Sequence, residues 1–203
     1  WFSPFGGNHY LSVGWRFEAG AAELGCVPLL IAIAACRALT RCGLEGQGIK
    51  WPNDVVHGGR KLGGCIVELQ GDAAGPCMAV NGVGLNVRMA RGAEAGQAID
   101  QPWCDLREAL PNLSRNAAAA ALLEEILLAL EAFQFHGFEP FRPEWEKLDR
   151  LLGSRVELRL PGKTISGTAR GISRAGGLRI ATATGEQEHF AGEVSVRAVE
   201  EGA

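Results

Sequence analysis

The sequence has no C-x-x-C pair and only four histidines, so neither the spacing of a zinc site nor that of a redox dithiol is encoded. Its cysteines (Cys26, Cys36, Cys42, Cys65, Cys77 and Cys104) are scattered, several in apolar runs where a free thiol behaves as a small hydrophobe. That pattern predicts reduced thiols and a cytoplasmic protein rather than a disulfide framework. There is no basic surplus: 20 Lys and Arg against 23 Asp and Glu leave a net charge of -3, which argues against a nucleic-acid partner. No apolar run has the length or flanks of a membrane span or signal peptide. Internal repeats, low-complexity linkers and a Ser or Cys nucleophile at a recognisable spacing from a histidine are also missing. The first residue is Trp1 and not Met, so the chain is expected to be a fragment.

What is present is enough apolar material, 47% of 203 residues, for one ordinary domain and a small second one in a soluble globular protein. "HYLSVGWRF" alternates like a half-buried strand, and "AAELGCVPLLIAIAACRALTRCG" reads as a buried helix with Pro28 near its first turn and Gly43 as its stop. "GIKWPNDVVHGGRKLGGCIVEL" reads as a strand, a glycine turn and a second strand, with a kink at Pro52, and "CMAVNGVGLNV" as another strand. Residues 88 to 102 lack periodicity and are expected to form a loop. "LSRNAAAAALLEEILLALEAFQF" is the clearest helix, with Ser114 or Asn116 as its cap. After "FEPFRPEWEKLDRLLG" the pattern breaks into short runs, "RVELRL", "TISGTARGI", "GLRIAT" and "EVSVRAV", separated by "PGK", "RAGG" and "TGEQ". These predict a small antiparallel barrel and a domain boundary near residue 152.

Charge inside the apolar hairpin marks the candidate site, because an unpaired charge in a core is costly. A turn at Gly58-Gly59 sets Val56 against Lys61 whether its loop has two or four residues, whereas a three-residue loop would reverse the count; counting by twos places Asp54 on the face of Lys61, with Gly63 opposite Asp54, and gives Lys50 the same parity. In "NGVGLN", Gly82 and Gly84 fall on one face and Val83 and Leu85 on the other, bare backbone in front of apolar packing, and Asn86 continues the open face. Together these describe a pocket for an anion near Lys61, with Asp54 able to help hold Mg²⁺. The same spacing also fits blander readings: a surface ion pair of Asp54 with Lys61 and a β-bulge at Gly82 and Gly84. Trp51 and Trp145 read as core, and His57 as a solvated turn residue.

"KWPNDV", "KLGGCIVE" and "NGVGLNV", in that order, resemble the signature series of the biotin protein ligases. "WFSPFGGNHYLS", "FRPEWEKLD" and "AGEVSVR" extend the resemblance over nearly the whole chain. It implies an α/β catalytic domain with a mixed sheet, related to class II aminoacyl-tRNA synthetase cores, over residues 1–151, and an SH3-like domain over 152–203. It also implies ATP-dependent joining of biotin, through biotinyl-5′-adenylate, to a lysine of a biotin carboxyl carrier protein domain, in the cytoplasm, with a homodimer among the partners allowed. Carried over by motif, Lys61 contacts the biotin carboxylate and α-phosphate, Asn53 and Asp54 organise the nucleotide and its Mg²⁺, and Lys50 adds positive potential. Gly64, Gly82, Gly84 and Tyr10 line the biotin cleft, Asn86 lies near the adenylate, and Trp103 falls where a loop closes over adenine. In the carboxy-terminal domain Glu193 and Arg197 are the polar residues to test. Family members carry a G-R-G-R-R-G-R loop just before the tryptophan that matches Trp1, as well as an upstream strand, and neither is in this sequence; the implied expectation is a weakly active or inactive fragment of an active parent. A lipoate ligase or octanoyltransferase sibling and a non-catalytic biotin-binding regulatory module are the alternatives.

Overall fold

The structure, a computed structural model, describes residues 5–89, 99 and 101–190, and the backbone of 195–198. The "WFSP" start, most of the predicted 88–102 loop, Glu193 and the side chain of Arg197 lie outside the described residues. In chain order the elements are β1 (Asn8–Phe17), α1 (Val27–Arg41), β2 (Gln47–Lys50), β3 (Asp54–His57), β4 (Arg60–Gly71), β5 (Cys77–Asn86), α2 (Leu106–Ala109), α3 (Arg115–His136) and α4 (Arg142–Leu148). Five further strands follow: β6 (Arg155–Leu160), β7 (Lys163–Ile172), β8 (Leu178–Thr182), β9 (Gly185–His189) and β10 (Ser195–Ala198).

The first sheet runs β1-β5-β4-β3-β2, every neighbouring pair antiparallel. Among the described residues, the expected mixed character is confined to two single parallel bridges, Ile49 with Asp149 and Lys61 with Trp103. Alternation in β1 turns Leu11, Val13, Trp15 and Phe17 to one face, where Phe17 meets Phe133 edge-on at 5.8 Å and Trp15 donates its indole N–H to Gln134. Helix α1 carries no charge before Arg37 and is buried along nearly its whole length, as a helix apolar all round must be. It begins at Val27, later than the sequence pattern indicated, with Pro28 in its first turn; residues 21–23 form a separate 3₁₀ turn. Helix α3 covers the same layer through Ala118, Leu122, Ile126, Ala129, Leu130 and Phe133, with Ser114 at its N-cap and Gly137 (φ 65°) ending it. Arg41 ties the two helices by ion pairs to Glu124 and Glu125. Truncating a side chain as buried as Ile31 to Ala would destabilise the fold by about 2–5 kcal/mol.

The second sheet, order β10-β6-β7-β8-β9, is antiparallel throughout, and Val156, Leu158, Ala169, Ile172, Leu178 and Ile180 join its inner face to the same core. It holds one strand that the sequence reading assigned to a turn: β9 starts at "TGEQ". Its residues Glu186 to His189 are polar, so they carry no hydrophobic period, and edge pairing with β8 alone defines them.

Candidate active site

One transverse row of residues organises the open face of the first sheet. Cross-strand pairing sets Lys50 opposite Asp54, Asp54 opposite Gly64, Gly64 opposite Gly84, and Gly84 opposite Tyr10. Directly paired residues share a face, so two glycines in the middle leave a bare main-chain floor between an aromatic wall and a charged one. The next row, Ser12 opposite Gly82 and Gly82 opposite Ile66, prolongs it. Above this floor lies a cavity of about 430 Å³, lined by Tyr10, Asn53, Asp54, Lys61, Gly64, Gly82 and Gly84 together with Leu11, Ser12, Cys65, Ile66 and Val83.

Three local devices build the charged wall. Gly58 and Gly59, φ 56° and 72°, close the turn expected of them, and of the two loop lengths allowed it is the two-residue one. Next, Val55 pairs with Gly63 but Val56 with Lys61, leaving Leu62 as an extra residue on β4 that plugs into the core. The ammonium of Lys61 and the carboxylate of Asp54 meet at 2.5 Å, each about four-fifths buried. Third, the 51–53 turn between β2 and β3, with a cis Trp51-Pro52 bond, replaces the single kinked strand that the sequence pattern indicated, so Lys50 reaches the row from across the turn. Asn53 clips that turn to β4: its Nδ2 donates to the Cys65 carbonyl at 2.5 Å, and its own carbonyl accepts from Cys65 N at 2.9 Å.

The bulge corrects one expectation. Asp54 faces Gly64, not Gly63, because the extra residue shifts the pairing by one. Gly63 serves packing instead: a Cβ there would come within 2.6 Å of the Gly84 carbonyl and of Leu85 Cδ2.

Of the predicted residues, three stand outside the cavity lining. Lys50 occupies the row beside Asp54. Asn86 is buried and does not continue the open face; its Nδ2 donates to the carbonyls of Lys61 at 3.3 Å and Cys104 at 3.0 Å. Trp103 bridges Lys61 through the backbone, with Lys61 N donating to the Pro102 carbonyl and Cys104 N to the Lys61 carbonyl, both at 2.9 Å. Asn86 and the 102–104 segment thus hold the main chain that carries Lys61. Sequence reasoning missed Ser12 and Ile66, which the strand period places in one row with Gly82, and Cys65, whose thiol burial pushes well up, so it lines the cavity as an unreactive apolar group. Trp51 and Trp145 are both core residues.

The Biotin/lipoate A/B protein ligase family matches residues 1–86, and the Biotin protein ligase C terminal domain matches residues 151–197. The bifunctional ligase/repressor BirA of Escherichia coli is 40% identical over 200 residues, 98% of this chain; the chain spans 62% of that relative's length. Among solved structures, biotin protein ligase from Aquifex aeolicus superposes with a TM-score of 0.82 at 27% identity, covering 95% of this chain and 83% of that one. The same ligase in complex with biotin and ATP gives 0.79 at 28% identity, covering 95% and 79%. The biotin--[acetyl-CoA-carboxylase] ligase of Paracoccus denitrificans is 30% identical over 206 residues, 96% of this chain and 82% of that relative, and on this likeness the chain belongs to the biotin protein ligase family.

Proposed function

We propose that this protein joins biotin to ATP in the glycine-floored cavity and passes the biotinyl group to a lysine of a carboxyl carrier protein domain. The observation that carries the reading is the row from Lys50 to Tyr10, with Lys61 and Asp54 at the rim of a 430 Å³ hollow whose floor has no side chains. A compact fused-ring ligand needs close approach to main chain, which Gly64, Gly82 and Gly84 allow. In the first step a biotin carboxylate oxygen bonds to the α-phosphorus and the bond from that phosphorus to the bridging oxygen of the β-phosphate breaks, releasing pyrophosphate. Charge grows on phosphoryl oxygens, so the fixed ammonium of Lys61 is the main contributor, and preorganised donors of this kind are worth about 10²–10³ in rate. Asp54 holds Lys61 in place, and Lys50 adds positive potential from the same row. In the second step the neutral amine of the carrier lysine attacks the acyl carbon, AMP leaves, and the amine proton passes to solvent.

Asp54, whose carboxylate lines the cavity with about a fifth of its surface exposed, would hold Mg²⁺ together with phosphate oxygens, the usual pattern for that ion. When bound it neutralises phosphate charge. The reading takes residues 1–151 as the catalytic domain and 152–203 as the carboxy-terminal one, and places the reaction in the cytoplasm; no helix among the described residues is long and apolar enough to cross a membrane.

The test is incubation of the purified protein, beside a version preceded by the family's G-R-G-R-R-G-R loop, with biotin, Mg-ATP and a carrier domain, followed by mass spectrometry. One biotinylated carrier lysine is expected, with no product when lipoate replaces biotin. Lipoyl transfer instead would shift the assignment to the sibling branch, and the absence of both biotin binding and adenylate formation would refute it.

A further inference from the structure

Asn53 and Asp54 follow β2, the edge strand of the first sheet, through the 51–53 turn, and β2 is held from farther along the chain as well as by β3. Arg150 N donates to the Ile49 carbonyl at 2.9 Å, and the Arg150 guanidinium donates to the carbonyls of Gly46 at 3.1 Å and Gln47 at 2.7 Å. One residue past the strand, Trp51 is 2% exposed and donates its indole N–H to the carbonyl of Gly176 at 3.0 Å. Gly176 lies in the turn between β7 and β8, and that turn is a braced peg. Ser173 N donates to the Gly177 carbonyl at 2.8 Å, Gly176 N to the Ser173 carbonyl at 3.2 Å, and Gly177 N to Ser173 Oγ at 3.1 Å. The peg is seated against the start of α1: Gly176 has φ +87°, and a Cβ there would stand 3.0 Å from Cys26 Sγ and 3.2 Å from Leu29 Cδ1.

We infer that Trp51 is a positioning residue through which the second sheet sets the 51–53 turn, and with it Asn53 and Asp54, for the nucleotide step; this rests on the ligase reading of the cavity. The turn is held at two points only a residue apart, by the Trp51 indole on the Gly176 side and by the Asn53–Cys65 pair on the β4 side. Loss of the first leaves a buried carbonyl without its donor and releases one end of the turn. A displacement of about 1 Å at a reacting site lowers rate by about a hundredfold, so partial release should be visible in catalysis. The carboxy-terminal sheet is then part of the active-site scaffold and more than a cap on the core.

Trp51→Phe keeps a buried ring and deletes the donor. Trp145→Phe is the matched control, because Trp145 is 0% exposed and its indole nitrogen has no hydrogen-bond partner among the described residues. Ser173→Ala loosens the peg without touching Trp51. In the full chain, melting temperature, biotin affinity by calorimetry, and kcat and KM for ATP in adenylate formation are measured for each variant. Trp51→Phe is expected to lower kcat/KM for ATP about tenfold or more and to keep biotin affinity within about twofold, since the floor is carried by β4 and β5. Ser173→Ala is expected to change kcat/KM in the same direction by less, and Trp145→Phe to lower only the melting temperature. Wild-type kcat/KM in Trp51→Phe, or an equal fall in Trp145→Phe, overturns the inference; should Trp51→Phe fail to fold, Ser173→Ala decides it, wild-type kcat/KM there being the overturning result. A wild-type protein that makes no adenylate even when preceded by the family's G-R-G-R-R-G-R loop removes the ligase reading and this inference with it.

Discussion

Gly82→Ala should move stability and ligand binding in opposite directions. A Cβ at Gly82 would stand 2.9 Å from Ile66 Cγ2, 3.6 Å from the Ile66 carbonyl and 4.0 Å from Ser12 Oγ. The one tight contact is the branch methyl of Ile66, next to its Cβ, so relief takes a χ1 rotation that is open to a side chain 61% exposed but offsets part of the gain. Strand glycine is worse than alanine by roughly 0.5–1 kcal/mol, mostly through unfolded-chain entropy, so the net change in stability should lie between zero and about 0.5 kcal/mol of stabilisation. The same methyl stands on the cavity floor. Forcing an extra methyl into a filled site costs about 1–3 kcal/mol, which for biotin is a loss of affinity of about fivefold to more than a hundredfold. Gly82→Val, with a still better strand former and two more methyls, should widen both effects. Thermal melts paired with calorimetric biotin titration read both quantities on one sample. Unchanged biotin affinity in a well-folded Gly82→Val would refute the idea that this face binds the ligand, and parallel loss of stability and affinity would mean that Gly82 serves packing.

The titrating groups give two further expectations. The pKa of His9 is lowered, first by burial and then by the charge of Arg115, so between its ordinary value near 6.5 and the lower folded value the unfolded chain binds more protons than the folded one. Stability should therefore fall as pH drops below about 6.5 through that window, and His9→Gln should flatten the melting-temperature profile there; a profile that His9→Gln leaves unchanged would place the acid sensitivity elsewhere. Burial pushes the Cys36 thiol to about 12 and the Cys104 thiol to about 11, and raises Cys65 as well, whereas Cys42 is the one cysteine not fully buried. Alkylation at neutral pH followed by mass spectrometry should label Cys42 first and leave Cys65 unlabelled although it lines the cavity; rapid labelling of Cys65 would show a more open site than the one described.

Much of the site is legible in the sequence because it obeys the period of two. Gly82 and Gly84 alternate with Val83 and Leu85, and that alternation alone places bare backbone on one face and packing on the other. Gly58-Gly59 specifies its turn by the need for positive φ at both positions. What the pattern does not encode is the bulge at Leu62, an apolar residue in an apolar run whose extra length on β4 only the partner strand reveals. That shift exchanges the roles of Gly63 and Gly64. Asn86 deceived for a related reason: its parity is that of the open face, but the 102–104 segment folds over that end of the row and captures its amide. The Trp51–Gly176 bond spans 125 positions, and no local period reports a contact of that range.

On the ligase reading, the Lys61 ammonium, held by Asp54 over the glycine floor, stabilises the charge that builds when biotin meets ATP. The most direct test of that role is the single-turnover rate of biotinyl-5′-adenylate formation in wild-type protein and Lys61→Ala, at saturating biotin and ATP and without carrier. A fall of about 10²–10³ is expected in Lys61→Ala, with the fold retained. An adenylation rate within about threefold of wild type would contradict it.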